Sequence, residues 1–392
     1  MRTTSLVVLL LFCVPLLSGV PLFPKGFSIS GAIQKRNAAQ LAEYRRQQRA
    51  SPLYSKNFLL NYHIPDETLL ATIYFMGNDP NHPTNYTVSL ETATDWLYFF
   101  NTSTVNQTGL TPLNQTFTGK YENYDVNGYR YQAQVSYGSL NFPDPVTQTF
   151  AIVGPLLSVD NTSEVSFDGV LGLGWRSTKT VDCDTSNVIP PVLNIMSTST
   201  EKQYYVIRLD PYNVTTNTQT YQIVFGESVH TCGDEYGFTD VVYAPAADNG
   251  FVNFIMDGLA YGETDIVSGG EQATVDAGIP VLMTTAPAFK RIYELSKWSY
   301  NFALAIYTVK CDDVPTMKDL VFQIGTQDYP VPASKYVADI GIGDGTCAVL
   351  IDKPDASFTY SPWILGQPFL SSHCVWFGVN DNTIGFALQS QA

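Results

Sequence analysis

Two acidic side chains stand in matching surroundings. Residues 273–283, ATVDAGIPVLM, run apolar, turn at Asp276-Ala277-Gly278, and run apolar again. Residues 87–99, TVSLETATDWLYF, do the same around Glu91-Thr92-Ala93. Each reads as strand, tight turn, strand, which sets the acid at the mouth of a loop, with Gly278 supplying backbone freedom. Either turn alone is an ordinary β-turn carrying an acid. A further repeat changes that reading. Residues 167–174, FDGVLGLG, place Gly172 81 residues past Glu91, and residues 362–370, PWILGQPFL, place Gly366 90 residues past Asp276. An acid turn followed by an apolar-apolar-glycine segment, twice at similar spacing, points to a duplicated chain whose two lobes each present one carboxylate. Two facing carboxylates cannot both ionise easily: one stays protonated as an acid, and the other acts as a base toward a water molecule. A Glu/Asp pair also serves glycoside hydrolysis, but nothing beyond the bare pair favours that chemistry.

The elements that position such loops must be mostly strands. Aromatic residues make up 13% of the 392 residues and charged residues only 15%, with 28 Gly and 23 Pro. That balance suits a turn-rich β protein with a large core, in one or two domains, and excludes a disordered chain. Charge is unevenly spread. Residues 1–60 carry eight Lys/Arg against the single acid Glu43, whereas the rest of the chain carries 13 basic and 35 acidic residues. An acidic body argues against nucleic-acid binding, which needs a positive face. The six cysteines and four histidines form no zinc-type spacing, so no metal and no cofactor are expected.

The paired segments FDGVLGLG and PWILG resemble those beneath the two active-site loops of the pepsin-like aspartic peptidases. Residues 307–337, YTVKCDDVPTMKDLVFQIGTQDYPVPASKYV, and the ending TIGFA, residues 383–387, are similar to that family as well. The resemblance runs from about residue 60 to the C-terminus. It implies an all-β fold with a few short helices, in which two pseudo-symmetric lobes flank a central cleft: residues 56–226 and 227–392, with 60–392 together one peptidase-type domain. It implies an extended peptide or unfolded protein as the ligand, cleaved through water activated by Glu91 and Asp276 without a covalent adduct. Thr92, Thr94 and Gly278 become the supporting loop residues, and Tyr121, in KYENYDVN, the tyrosine of a flap hairpin; an ordinary cross-strand Tyr is the alternative. Cys311 and Cys347 match a family disulfide, closing a loop worth ~3–4 kcal/mol in the chain-entropy model. Cys232 and Cys374 form a second expected pair; with Cys13 in the leader, that leaves Cys183 odd.

The active-site motifs depart from the family's Asp-Thr-Gly in both lobes. Glu91 carries one methylene more than Asp, displacing its carboxylate by roughly 1–1.5 Å on a fixed backbone. Ala277 removes one of two Thr hydroxyls that brace the loops across the pseudo-dyad, while Thr92 keeps the other. Ile279 and Pro280 stand where the family has hydroxyl residues, so Asp276 loses a donor and is expected to be harder to ionise; Thr94 retains the hydroxyl beside Glu91. The expected function is that of a secreted pepsin-family aspartic endopeptidase-like protein whose hydrolysis is weak or lost. The alternative is an inactive peptide-binding pseudoprotease.

Outside the lobes, residues 1–20 read as a cleaved secretory signal, since the apolar run of residues 6–17 is too short to span a bilayer. Residues 21–55 read as a basic prosegment whose Lys and Arg pair with body acids, with residues 31–50 as a basic helix and Lys56 as a plug for the cleft; a solvated charged face is the alternative. Asn85, Asn101, Asn106, Asn114, Asn161 and Asn213 lie in Asn-x-Ser/Thr sequons, expected glycan sites on a secreted surface. Residues 287–298 read as a helix with Phe289, Ile292, Tyr293 and Trp298 in the core. The expected state is a monomer without a membrane span, delivered to the cell exterior or to the lysosomal or endosomal lumen.

Overall fold

A computed structural model describes residues 27–34, 70–76, 83–100, 105–121, 124–137, 145–154, 167–175, 188–197, 204–209, 218–225, 238–245, 252–304, 306–353, 361–379 and 382–389. The described chain is dominated by strands. A seven-stranded sheet in the first lobe runs in the order Leu70–Phe75, Thr84–Glu91, Gly169–Gly172, Leu97–Phe100, Val146–Val153, Tyr124–Tyr137, Thr111–Tyr121. A seven-stranded sheet in the second lobe runs Gln327–Val331, Leu320–Ile324, Asn253–Tyr261, Thr264–Val275, Trp363–Leu365, Leu282–Met283, Ile351–Asp352.

The duplication read from the sequence is explicit in the strand order. In each lobe the strand that enters the acid loop and the strand that leaves it are not neighbours. The apolar-glycine strand inserts between them, parallel to the first and antiparallel to the second: Gly169–Gly172 between Thr84–Glu91 and Leu97–Phe100, and Trp363–Leu365 between Thr264–Val275 and Leu282–Met283. Glycines permit this because the inserted strand runs hard against the loop backbone. A Cβ at Gly172 would lie 2.4 Å from the Thr94 carbonyl oxygen, and one at Gly366 2.2 Å from that of Val281.

A six-stranded sheet joins the lobes, drawing Tyr204–Leu209 and Thr218–Phe225 from the first and His373–Gly378, Thr383–Gln389 and Phe238–Pro245 from the second. Its two central strands carry Tyr205 and Phe377, whose rings stack at 4.6 Å. Trp175 of the first lobe donates its indole N–H to Asn382 Oδ1 of the second at 3.1 Å. One contiguous apolar core therefore runs through both lobes, from Ile73 and Phe99 to Phe254 and Phe386.

Several expectations change here. Residues 31–34, assigned to a basic helix, belong instead to the strand Phe27–Gln34, which pairs antiparallel with Thr218–Phe225 at the edge of the six-stranded sheet. Unpaired sheet edges readily accept another strand, and that pairing outweighs a weak helical periodicity. Residues 35–50, Lys56 and the leader lie outside the described residues. The second-lobe helix is Ala286–Leu295, with Ala288, Phe289 and Ile292 buried, but Tyr293 is 38% exposed rather than in the core. Cys311 and Cys347 are joined. Cys374 is disulfide-bonded; Cys232 and Cys183 lie outside the described residues. Asn85, Asn106 and Asn114 are exposed, whereas Asn101, Asn161 and Asn213 lie outside the described residues. Among the described residues no helix is long and apolar enough to cross a membrane.

One buried group ties the fold to pH. The His373 ring lies 4.5 Å from Phe369 and 5.5 Å from Tyr329, with Nδ1 3.2 Å from the Phe369 carbonyl oxygen. Burial pulls its pKa down to about 3, against the opposing hydrogen bond and with the Lys335 charge adding to the fall. The unfolded chain therefore takes up this proton near pH 6.5 while the folded chain does not, so stability falls as pH drops from 6.5 toward 3. By about pH 4 the loss from this group reaches about 3 kcal/mol. Denaturant melts at neutral and acid pH are expected to show that dependence in the native protein and a flatter one in His373→Gln.

Candidate active site

The strand Thr84–Glu91 delivers Glu91 to its end, and the loop that follows is held from below: Leu173 N–H donates to the Glu91 carbonyl at 2.8 Å and Gly174 N–H to that of Thr94 at 2.8 Å. The strand Thr264–Val275 delivers Asp276, whose N–H donates to the Leu365 carbonyl at 3.2 Å. Asp276 is 2% exposed, and Glu91 is half-buried. The N–H of Gly278 donates to Asp276 Oδ1 at 3.0 Å.

The two acids converge on one residue. A Cβ placed on Gly278 would lie 2.9 Å from Glu91 Cγ, 3.6 Å from Glu91 Cδ and 3.4 Å from Asp276 Oδ1. Both carboxyl groups thus flank the bare Cα of a single glycine. This corrects the expected role of Gly278. Its backbone is absent from the glycines with positive φ, so it serves by leaving room rather than by adopting a left-handed turn. The room is taken by the Glu91 side chain, whose Cγ methylene lies against Gly278 of the other lobe.

The loops are also tied across that axis, on one side. Thr92, fully buried, donates its Oγ1 hydroxyl to the Val275 carbonyl at 2.6 Å and accepts the N–H of Ala277 at 3.3 Å. The mirror position is Ala277, buried and without a hydroxyl. Ile279 and Pro280 follow, both buried, and Ile279 joins an apolar cluster with Val281, Met283, Leu350 and Ile364. No hydroxyl side chain follows Asp276 before Thr284, whereas Thr94 follows Glu91 in the first loop.

Tyr121 closes one strand of a long hairpin, paired in register with Tyr124. Toward its tip the hairpin packs into an aromatic cluster beside the Glu91 loop, with Phe117 and Val126 against Tyr98, Phe100 and Phe167. Trp96, just past that loop, meets Phe117 at 4.7 Å, and the Arg130 guanidinium lies 5.1 Å over the Trp96 ring.

Two contributors were not singled out from the sequence. Tyr205, in the joining sheet, donates its hydroxyl to the Leu173 carbonyl at 2.9 Å. Burial pushes its phenol well above the usual range, and the charge of Asp276 pushes it further, so a neutral phenol lies within electrostatic reach of the second acid. Gln367, beneath the second loop, donates Nε2 to the Ala277 carbonyl at 3.4 Å. The only sequence signal for it was a polar residue inside an otherwise apolar stretch.

Comparison with known proteins agrees with this fold. A family model described as "Eukaryotic aspartyl protease" matches residues 85–389. Aspartic protease 1 of Caenorhabditis elegans is 26% identical over 287 residues, covering 72% of this chain and 68% of that protein. Embryonic pepsinogen of Gallus gallus is 28% identical over 225 residues, covering 57% of this chain and 53% of that protein. The matched stretch therefore spans between about half and two thirds of these relatives. The crystal structure of aspartic proteinase from Irpex lacteus superposes with a TM-score of 0.66 at 17% identity, covering 92% of this chain and 98% of that one, a likeness of fold.

Proposed function

The chain belongs to the eukaryotic aspartyl protease family, and from that premise we propose that it binds extended peptides in its cleft and hydrolyses them slowly or not at all. The observation that carries this reading is the convergence of Glu91 and Asp276 on Gly278. In that arrangement the pair holds one proton. The ionised member draws a proton from a water set between them while the protonated member gives its own to the peptide carbonyl oxygen. The water oxygen bonds to the carbonyl carbon; the C–N bond then breaks as the acid that took the water's proton gives it to the leaving amine and its ionised partner takes a proton from one hydroxyl of the tetrahedral diol, which re-forms a carbonyl.

Three features slow that sequence. Glu91 reaches farther than an Asp, and misplacement on the scale of an ångström can cost about a hundredfold in rate. Ala277 leaves the loops tied by one hydroxyl instead of two, and Ile279 puts a hydrocarbon side chain where the equivalent residue of the first loop, Thr94, offers a hydroxyl. The second reading, binding without turnover, is favoured by the same one-sided grip.

The setting is secretory. The N-terminal signal, the cysteine bonds and the exposed sequons at Asn85, Asn106 and Asn114 support passage through an oxidising, glycosylating compartment. The pairing of Phe27–Gln34 with the body supports an N-terminal segment that docks on its own chain.

Incubation of the purified secreted protein with denatured haemoglobin at acid pH, beside Asp276→Asn, tests the proposal. Slow digestion that Asp276→Asn abolishes supports a weakened dyad, and no digestion with retained peptide binding supports the second reading. Rapid digestion, or digestion that Asp276→Asn leaves unchanged, contradicts both.

A further inference from the structure

The two loops rest on equivalent residues of different chemistry. Glu91 pairs with Gly172, and Val275, one residue before Asp276, pairs with Leu365, one residue before Gly366. Gly172 and Gly366 are therefore counterparts, and the next residue is Leu173 in the first lobe and Gln367 in the second. Leu173 is 0% exposed and Gln367 1% exposed. The Leu173 side chain can only pack. Gln367 holds the second loop twice: its backbone N–H donates to the Ile279 carbonyl at 2.9 Å, and its Nε2 donates to the Ala277 carbonyl at 3.4 Å. A side-chain donor thus stands beneath the loop that lacks the cross-lobe hydroxyl, and a leucine stands beneath the loop that has Thr92.

The bond that Gln367 holds is one step from the acid. The Ala277 carbonyl and the Gly278 N–H belong to the same peptide unit, which is planar. Fixing the carbonyl end fixes the direction of the N–H end, and that N–H is the one donated to Asp276 Oδ1 at 3.0 Å. We propose that Gln367 is a positioning residue for Asp276: its carboxamide, acting within the second lobe, orients the Ala277–Gly278 peptide that holds the Asp276 carboxyl toward Glu91. Its effect on turnover or peptide affinity rests on the peptidase-type reading above; its hold on the loop does not.

Two substitutions in the full-length protein test this. Gln367→Leu copies the first lobe and removes the donor. Gln367→Glu keeps the shape but donates only when protonated. The readout is the exchange protection of the Gly278 amide, followed by nuclear magnetic resonance with isotope-labelled glycine and referenced to a buried strand glycine, Gly169. Gln367→Leu is expected to lower Gly278 protection roughly tenfold with Gly169 unchanged. Gln367→Glu is expected to match the native protein at acid pH and to lose Gly278 protection as its carboxyl ionises. If Gln367→Leu does not fold, Gln367→Glu alone decides the matter, since it supplies its own acid-pH control. Unchanged Gly278 protection in Gln367→Leu, or a pH-independent Gln367→Glu, overturns the proposal. Binding of an uncleavable peptide analogue is measured alongside. A native protein that binds none contradicts the peptide-cleft reading, while the exchange result still decides the role of Gln367.

Discussion

Glu91→Asp combined with Ala277→Thr and Ile279→Thr is expected to raise cleavage of denatured haemoglobin at acid pH by about a hundredfold or more over the native chain. The first change shortens the arm that now fills the space over Gly278, where Glu91 Cγ lies 2.9 Å from the site of a Cβ. The second restores a hydroxyl at the mirror position of Thr92, where it can reach the opposite loop as Thr92 reaches Val275. The third gives Asp276 the hydroxyl neighbour that Thr94 gives Glu91. All three act on one site, so their effects are not additive and the triple variant is the informative one. Adding Asp276→Asn to it must return the rate to background. A triple variant that folds, melts as cooperatively as the native chain and gains no activity removes the explanation of weak turnover offered here.

Thr92→Val is expected to destabilise the protein by about 2–4 kcal/mol, measured by denaturant unfolding at neutral pH. Valine has nearly the shape of threonine, so the change leaves no cavity. It deprives the Val275 carbonyl of a donor and the Ala277 N–H of an acceptor, both inside the buried contact between the loops. In a symmetric site a second hydroxyl would hold the lobes after the first was lost. With Ala277 at the mirror position there is no such reserve, so the full effect should appear. Thr92→Ser keeps the hydroxyl and is expected to lose less than about 1 kcal/mol. A loss below about 1 kcal/mol in Thr92→Val beside a larger one in Thr92→Ser would show that the methyl group, not the hydroxyl, matters at this position.

The carboxylates, their loops and the inserted strands were legible because duplication wrote each pattern twice. A lone Asp276 turn carries no such information; its likeness to the Glu91 turn, each with an apolar-glycine segment downstream, does. The departures at Glu91 and Ala277 were equally legible, since they are changes of residue type at known places. What the sequence could not show was how the departures fit together. Gly278 reads as a turn residue, and only its nearness to Glu91 Cγ reveals that it makes space. Gln367 reads as one polar residue in an apolar run, and its bond to Ala277 joins residues 90 apart. The strand Phe27–Gln34 was hidden for another reason. Residues 31–50 show a thin helical periodicity, while the strand's stability comes from partners nearly two hundred residues away in the chain, such as Ile29 against Ile223.

The shared pair itself is tested most directly by calorimetry with a peptide whose scissile amide is replaced by a hydroxyl-bearing group, titrated in buffers of different ionisation enthalpy. A proton held between Glu91 and Asp276 predicts binding that is strongest at acid pH, accompanied by net proton uptake, with both the pH dependence and the uptake lost in Glu91→Gln and in Asp276→Asn. Binding that ignores pH and survives both substitutions unchanged, or no binding at any pH, would contradict it.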